Sequence, residues 1–320
     1  MRDGLAAVET MLHEAVRSDV PLVNESSRHL VDAGGKRFRP MMVLLAAQFA
    51  DPTAPGVIPA AVAIELTHLS TLYHDDVMDE APLRRGAATV NVRWTNTVAI
   101  LTGDFLFARA SGITADLGSD ATRILAQTIA TLCEGQIRET VGPAPGQDAL
   151  EHYLRVVSEK TASLIATSGR LGALLGGADP FTADALAAFG ERFGVAFQLS
   201  DDLIDVASDS HESGKTPGTD LREGIPTLPV LYALRHSDPE ARRLRDLMAL
   251  DGEARGAGGV ADAAVAEALE LLRGHPAMDQ ARAEVAAWAD RARECLEPLA
   301  DGPAKTALQS LADHVVDRTG

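Results

Sequence analysis

The chain has 320 residues, of which 46% are apolar and only 4% aromatic, and 29 basic against 46 acidic residues give a net charge of −17. No stripe of Lys and Arg stands out against that charge, which argues against a nucleic-acid-binding protein. The two cysteines, Cys133 and Cys295, are far apart in sequence. They therefore predict neither a disulfide framework nor a zinc site, as expected in a reducing compartment.

The apolar pattern predicts an all-α protein. Apolar residues recur every three or four positions, and no sustained alternation of period two is present. The first residues lack a signal-peptide pattern, and no segment has the roughly 18 uninterrupted apolar residues of a membrane span. We therefore expect a cytoplasmic protein without a transmembrane segment. We predict helices over residues 5–17, 22–32, 41–49, 60–79, 96–117, 120–140, 148–176, 182–206, 227–237, 240–249, 261–273, 277–297 and 303–318.

The first notable turn is GGKRFRP at residues 34–40, which carries three cationic side chains. Its glycine pair permits positive φ angles and a close backbone approach, and Pro40 suits the first position of the following helix. Such a turn could bind an anion. The alternative is a helix-capping loop whose charge is incidental.

An acidic cluster ends the fourth predicted helix, in the sequence HDDVMD at residues 74–79. On a helix, Asp75 and Asp79 are one turn apart and project from one face. Arg84 and Arg85 follow after a helix-breaking Pro82, and arginine matches phosphate oxygens with two parallel hydrogen bonds. Acidic and basic side chains so close in sequence indicate a metal site beside a phosphate site.

A second acidic cluster, QLSDDLID at residues 198–205, follows 126 residues after the first. Asp201 and Asp205 share one helical face with Gln198. If the two clusters face each other across a pocket, cations must lie between them, and carboxylate oxygens favour Mg²⁺ that also binds phosphate oxygens. The alternative, solvated surface acid, fits poorly with the apolar residues that precede both clusters. Residues 207–224 are predicted to form a mobile loop and 252–259 a disordered one.

Six motifs together resemble the ordered motif set of the trans-isoprenyl diphosphate synthases, the polyprenyl synthetase family. The resemblance covers about residues 30–235 and rests on all six in order, since a single motif would not be specific. The motifs are GGKRFRP at 34–40, DDVMDEAPLRRG at 75–86, EGQ at 134–136, EKT at 159–161, FQLSDDLID at 197–205 and GKTPGTDLREG at 214–224.

This resemblance implies one all-α domain over residues 1–320, a bundle of ten or more helices around a central cavity, and a homodimer. It implies a head-to-tail condensation of isopentenyl diphosphate with an allylic diphosphate. Three Mg²⁺ ions would be held by Asp75, Asp79 and Asp201, assisted by Asp76, Asp202 and Asp205. The allylic diphosphate would be contacted by Arg84, Lys160, Gln198 and Lys215, with Thr161 beside it. Isopentenyl diphosphate would be bound by Lys36, Arg39, His68 and Arg85.

One position departs from the family pattern. Ile225 lies where the family often has a lysine, so one phosphate contact is missing or is supplied by Arg222. The chemistry itself needs no nucleophilic side chain, because metal ions and cations stabilise the departing diphosphate. The released diphosphate is the expected acceptor of the proton lost from the adduct. Closure by residues 207–224 and the C-terminal helices would keep water from the allylic cation.

Product length depends on the helix face that precedes the first cluster. Residues on this face would line the floor below the metal ions, and they include Ile64, Thr67, Ser70 and Thr71. Ser70 and Thr71 are small where short-chain producers of the family often have aromatic residues. We therefore expect a medium- to long-chain polyprenyl product. The alternative is that these small residues merely ease helix packing.

Four other functions remain open at this point. They are a short-chain farnesyl or geranylgeranyl diphosphate synthase, a class I terpene cyclase, a head-to-head synthase and a non-catalytic partner subunit. The second aspartate cluster and GGKRFRP favour chain elongation over the cyclase and head-to-head reactions. The full set of carboxylates argues against a non-catalytic subunit.

Overall fold

The protein is almost entirely helical in this computed structural model, which describes residues 1–208, 217–250 and 262–319 and, for 249 and 250, the backbone only. The prediction of an all-α protein is confirmed. The helices are α1 (Arg2–Ala15), α2 (Pro21–Asp32), α3 (Phe38–Ala47), α4 (Val57–Met78), α5 (Val90–Arg93), α6 (Asn96–Leu117), α7 (Ser119–Val141), α8 (Ala149–Val157), α9 (Ser163–Leu175), α10 (Pro180–Ala207), α11 (Thr219–Arg222), α12 (Leu228–Ala233), α13 (Pro239–Leu250), α14 (Asp262–Arg273), α15 (Ala277–Leu296) and α16 (Pro303–Asp317).

The chain divides into two compact units. The first unit comprises Met1–Thr131, Ser163–Gly190 and Pro298–Ala307, and the second comprises Leu132–Ala162, Glu191–Glu297 and Leu308–Gly320. Each acidic cluster lies within one unit, the first cluster in the first unit and the second in the second unit. The single domain and the cavity between the two clusters stay predictions.

The first unit is organised around α4, which packs against α1, α3, α6 and α9. A helix that is apolar on all sides is suited to this central place, and α4 is buried on every face from Ala60 to Leu66. Its approach to α6 is close at Gly103, whose carbonyl accepts a hydrogen bond of 2.8 Å from the Ser70 hydroxyl. A Cβ at residue 103 would lie only 2.3 Å from Nε2 of His74. Glycine at this position therefore lets the end of α4 pack against α6.

The second unit contains α8 and α11–α15 together with the ends of α7, α10 and α16. Here α12 packs against α8, α14 and α15. Leu228 and Val230 of α12 and Val285 of α15 are fully buried. Asp148 caps α8 by accepting a hydrogen bond of 2.9 Å from the amide of Glu151.

Two local features differ from the sequence predictions. Helix α3 begins at Phe38 rather than after Pro40, because Arg37 adopts a left-handed conformation (φ 47°) and starts the helix. Proline is tolerated there because the first amide groups of a helix have no partner within it. Helix α11 occupies part of the loop predicted over 207–224. Residues 209–216 of that loop and the predicted loop 252–259 lie outside the described residues.

Three features were not predicted, and one of them is the short helix α5 (Val90–Arg93). A hairpin joins β1 (Leu83–Arg84) to β2 (Ala87–Ala88), which are the strands in the described part of the chain. Between α8 and α9 the helix continues through a π-helical turn, Ser158–Ala162. Turns of this kind often occur at functional sites.

Candidate active site

The first acidic cluster lies at the C-terminal end of α4. Asp79 caps this helix, and its amide donates a hydrogen bond of 2.8 Å to the carbonyl of Asp75. Asp75 is half-buried and Asp79 is exposed, whereas Asp76 is 1% exposed. The middle carboxylate is therefore the interior member of the cluster, and the outer two lie nearer the surface of this unit.

The buried carboxylate of Asp76 is held by one guanidinium. Arg84 Nε donates a 2.7 Å hydrogen bond to Oδ1 of Asp76, while Oδ2 is buried without a hydrogen-bond partner. Burial raises the pKa of Asp76, and the charge and hydrogen bond of Arg84 oppose that effect. A buried carboxylate oxygen without a partner is costly, so this atom is suited to a cation or a water molecule.

The hairpin directs two arginines towards this part of the first unit. Arg85 (φ 53°) and Gly86 (φ 77°) both have positive φ, as a two-residue turn of type I′ requires. Arg84 then contacts Asp76, while Arg85 Nη1 donates to the carbonyls of Leu30, at 3.1 Å, and Gly34. The RRG sequence thus connects the acidic cluster to the GGKRFRP turn.

Of the four residues predicted to anchor isopentenyl diphosphate, Arg39, His68 and Arg85 lie close enough in the first unit to influence one another. Lys36 is exposed, and Arg39 is half-buried with its Nε buried and unpartnered. Burial lowers the pKa of Arg39 to about 10, and Glu65 opposes that shift. Burial, followed by the charges of Arg39 and Arg85, holds the pKa of His68 well below its ordinary value. His68 is therefore neutral at neutral pH and offers a hydrogen bond rather than a charge.

The second acidic cluster lies at the C-terminal end of α10. Asp201 is exposed, Asp205 is half-buried and Asp202 is 4% exposed. Asp202 accepts a 2.9 Å hydrogen bond from Nε2 of Gln198 and another from the hydroxyl of Tyr153. Burial raises the pKa of Asp202, and these two hydrogen bonds oppose that effect. Among the described residues, the side chains that donate to the interior aspartate of this cluster, Tyr153 and Gln198, are thus neutral.

Two further residues contact the second cluster. The Asp220 amide donates a hydrogen bond of 3.4 Å to Oδ2 of Asp205. Burial and the nearby Asp202 and Asp205 charges raise the pKa of Asp220. At the end of α16, Arg318 donates to Asp201 and, at 2.6 Å, to the hydroxyl of Ser200. A guanidinium therefore already contacts the outer carboxylate of Asp201.

The π-helical turn brings the EGQ and EKT motifs together. A Cβ at Gly135 would lie 2.8 Å from the amide nitrogen of Lys160, so only glycine permits this approach of α7. Lys160 donates to Glu139 of α7, and Thr161 donates a 3.2 Å hydrogen bond to Oε1 of Gln198. Thr161, Gln198 and Asp202 thus form one hydrogen-bonded chain.

The other predicted residues have individual outcomes. Lys215 lies outside the described residues. Arg222, the candidate substitute for the lysine missing at Ile225, donates to Asp262 at 3.1 Å and to the carbonyl of Pro217 at 2.6 Å. The four chain-length residues lie on α4, where Ile64, Thr67 and Ser70 are buried and Thr71 is half-buried.

The sequence did not reveal several partners of the predicted residues. Each is distant in sequence from the residue it contacts, and none belongs to a motif with an assigned role. They are Glu9 and Glu65 near the GGKRFRP turn, which both contact Arg37, and Tyr153, Glu139 and Arg318 in the second unit.

One more group of potential metal ligands, His236, Asp238 and His275, lies in the second unit. Asp238 Oδ1 caps α13 through the amide of Ala241 at 2.7 Å, and Oδ2 lies 3.2 Å from Nε2 of His275. Nδ1 of His275 accepts a 3.1 Å hydrogen bond from the amide of Ala277. In its neutral form His275 then carries its proton on Nε2 and has no lone pair left for a metal. We assign this group to helix capping.

Comparison with known proteins gives a consistent result. Residues 20–266 match the polyprenyl synthetase family. The nonaprenyl diphosphate synthase of Mycobacterium tuberculosis is 49% identical, over 100% of this chain and 94% of that protein.

Two solved structures are similar over the whole of this chain. The geranylgeranyl pyrophosphate synthase of Corynebacterium glutamicum, complexed with calcium and isoprenyl diphosphate, has a TM-score of 0.87 and 46% identity, and 96% of it is covered. The decaprenyl diphosphate synthase of Rhodobacter capsulatus has a TM-score of 0.89 and 35% identity, and 97% of it is covered. The names of these proteins give products of different chain length.

Proposed function

Because the chain belongs to the polyprenyl synthetase family and is a trans-prenyltransferase, we propose that it condenses isopentenyl diphosphate head-to-tail with an allylic diphosphate to give an all-trans polyprenyl diphosphate. One observation carries this proposal: each DDxxD cluster has one interior aspartate fixed by protein donors and outer aspartates nearer the surface. Such a division suits metal ligands whose neighbours are held in place by hydrogen bonds from the protein.

Magnesium is the proposed cofactor, and the donor set fits it. Carboxylate oxygens are hard ligands, and the buried Oδ2 of Asp76 has no hydrogen-bond partner in the described part of the chain. We assign three Mg²⁺ ions to Asp75, Asp79 and Asp201, with assistance from Asp76, Asp202 and Asp205. The bound ions would neutralise charge on the departing diphosphate. The whole chain, residues 1–320, is proposed to act as one catalytic domain.

The allylic diphosphate is assigned to Arg84, Lys160, Gln198 and Lys215, with Thr161 beside it. In the first unit Arg84 is already oriented by Asp76. In the second unit Lys160 is paired with Glu139, and Gln198 is held between Thr161 and Asp202. These contacts fix the donors before substrate arrives, which reduces the reorganisation needed to stabilise the leaving group.

Isopentenyl diphosphate is assigned to Lys36, Arg39, His68 and Arg85. The unpartnered, buried Nε of Arg39 supports this assignment because it is a donor that a phosphate oxygen would satisfy. Neutral His68 would add a hydrogen bond without a further charge. After the isopentenyl double bond attacks the allylic cation, the lost proton is assigned to the released diphosphate.

The structure makes Thr71 a cleaner test of product length than Ser70. The Ser70 hydroxyl donates to the carbonyl of Gly103 where α4 and α6 are close, so Ser70→Phe would disturb helix packing. Thr71 is half-buried, and its hydroxyl bonds only within α4, to His68. We expect Thr71→Phe to shorten a medium- or long-chain product, measured by sizing the products. An unchanged product length would contradict the role of Thr71.

A homodimer is proposed from the exposed apolar side chains of α6, and the cytoplasm is its proposed location. Ile100, Leu101 and Phe107 are 43%, 61% and 38% exposed, and a second copy of the chain would cover them. Of the described helices, α6 is the one long and apolar enough to cross a membrane, judged by length and composition. Within the protein, 33% of its most apolar stretch is buried. Asp104 and Arg109 on its exposed surface favour a protein interface over lipid.

The function is tested by incubating the purified chain with Mg²⁺, labelled isopentenyl diphosphate and each of the dimethylallyl, geranyl, farnesyl and geranylgeranyl primers. We expect incorporation of label into longer prenyl diphosphates, and none when EDTA replaces Mg²⁺. Consumption of an allylic diphosphate without isopentenyl diphosphate would indicate a cyclase. No turnover by the chain alone would indicate a partner subunit.

A further inference from the structure

All five N–H donors of Arg37 are used within the protein. Its Nε and Nη2 bind the two oxygens of Glu9 at 2.8 and 2.9 Å, and Nη1 binds Oε1 of Glu65 at 3.0 Å. The remaining donors reach the carbonyls of Val31, at 3.1 Å, and Gly34, at 3.3 Å. A guanidinium with no donor left has no means of binding a substrate phosphate directly.

The five contacts come from several elements of the first unit. Glu9 lies on α1, Val31 is in the last turn of α2, Glu65 is on α4, and Arg37 itself starts α3 with a left-handed backbone. A non-glycine residue in this conformation persists only where its surroundings hold it. Arg37 therefore fixes the GGKRFRP turn to three helices.

The neighbouring cations of the same turn are bound differently. Lys36 is exposed, and Arg39 has a buried Nε without a partner. Within one motif, Arg37 thus uses its donors in hydrogen bonds to the protein, while donors of Lys36 and Arg39 remain for a ligand.

Glu65 makes this arrangement depend on charge. It is 2% exposed. Burial lowers the pKa values of Arg39 and Arg85, and the charge of Glu65 opposes that shift in both. The hydrogen bond from Arg37 satisfies Oε1 of Glu65. Without Arg37, Glu65 would be a buried carboxylate in need of a new partner, and Arg39 has a free donor.

We propose that Arg37 is a positioning residue for the isopentenyl diphosphate anchor. Arg37 holds the turn in place and pairs with Glu65, so that the donor of Arg39 remains available to the substrate. This inference rests on the proposed function for the identity of the anion. It also makes a distinctive prediction, because removing the Glu65 charge should restore much of what the loss of Arg37 costs.

The test compares Arg37→Gln, Arg37→Gln/Glu65→Gln and Arg37→Lys with the wild type. Arg170→Gln is a matched control, because Arg170 pairs with Asp184 at 2.9 Å on the exposed surface of the same unit. We expect Arg37→Gln to raise KM for isopentenyl diphosphate about tenfold or more. KM for the allylic substrate and kcat should change less than about twofold. Adding Glu65→Gln should return KM for isopentenyl diphosphate most of the way to the wild-type value. Arg37→Lys should raise this KM less than Arg37→Gln does.

A binding measurement separates this inference from the proposed function. Inorganic pyrophosphate is titrated calorimetrically into each variant in EDTA, where metal-dependent binding is absent. Arg37→Gln should weaken binding, and the double variant should restore it. If the wild type binds pyrophosphate in this way but makes no prenyl product, the proposed function fails and the inference stands.

Three results would overturn the inference. They are unchanged KM and pyrophosphate affinity in Arg37→Gln, an equal rise in both KM values, and no recovery in the double variant. If Arg37→Gln does not fold, the double variant decides, because it removes both members of the Arg37–Glu65 ion pair. Pyrophosphate affinity in a folded double variant far below that of the wild type would then reject the role of Glu65.

Discussion

The two acidic clusters share one sequence pattern but differ in what surrounds their interior aspartates. In the first unit, Asp76 is held by the charged guanidinium of Arg84. In the second, Asp202 is held by the neutral donors Tyr153 and Gln198. The same motif is thus supported by an ion pair in one unit and by a hydrogen-bonded chain in the other.

This difference affects how readily each cluster ionises. Burial raises the pKa of both interior aspartates, but Arg84 provides Asp76 with an opposing positive charge. Among the described residues, Asp205 and Glu139 have the largest charge effects on Asp202; both are of like sign and raise its pKa further. We therefore expect the second cluster to depend more on divalent ions for its fully ionised form.

The largest loss of turnover is expected when an outer carboxylate of either cluster is removed. Asp75→Ala and Asp201→Ala should each lower turnover at least about 1,000-fold, because each removes a proposed metal ligand. Far-ultraviolet circular dichroism should show a retained helical fold. Near-wild-type turnover in either variant would show that this cluster is not a metal site.

A smaller loss of kcat/KM is expected when the residues that donate hydrogen bonds to the interior aspartates are substituted. Arg84→Gln should lower kcat/KM about 100-fold, since it removes a charge from both Asp76 and the proposed diphosphate contact. Tyr153→Phe should cost only about tenfold, because Gln198 still supports Asp202. Tyr232→Phe is the matched control, as Tyr232 donates to Glu284 at 3.3 Å in the same unit. Equal losses in Arg84→Gln and Tyr153→Phe would remove the distinction between the clusters.

The like-charge environment of the second cluster predicts a pH-dependent change in stability. The pKa of Asp220 is raised in the folded state, so the folded protein binds more protons than the unfolded chain above the ordinary value of 3.8. The Asp220 contribution to stability is therefore lost as pH rises through the folded-state pKa.

Asp220→Asn should remove this loss of folding stability at higher pH. In EDTA the variant should be more stable than the wild type at pH 8, by about 1 kcal/mol or more, and the two should converge below the unfolded pKa. Denaturant unfolding at several pH values measures this, with the exposed Asp120→Asn as control. A difference between Asp220→Asn and wild type that does not vary with pH would contradict it.

The sequence predicted most helices well because their apolar periodicity extends over many residues. It could not predict the hairpin, whose strands have two residues each and whose type I′ turn has Arg85 where Asn, Asp or Gly is usual. The π-helical turn at Ser158–Ala162 has no period of its own that a sequence would show. Short elements therefore give no recognisable sequence pattern, although they orient Arg84 and Lys160.

The candidate site was predictable only where its residues are local in sequence. The aspartates and the GGKRFRP cations are close neighbours in motifs. Their partners are not: Tyr153 is 49 residues from Asp202, and Arg318 is 117 residues from Asp201. Which donor meets which carboxylate is decided by the tertiary fold, and no local pattern contains that information.

The most direct test of the account is whether the two clusters bind the ions of one diphosphate. Mg²⁺ binding is measured by calorimetry with and without inorganic pyrophosphate, for the wild type, Asp75→Asn and Asp201→Asn. We predict that pyrophosphate strengthens Mg²⁺ binding to the wild type and that either substitution alone abolishes this enhancement. The contradicting result is that each variant binds fewer Mg²⁺ ions but pyrophosphate still strengthens binding of the remaining ions. The two clusters would then be independent sites rather than one shared diphosphate site.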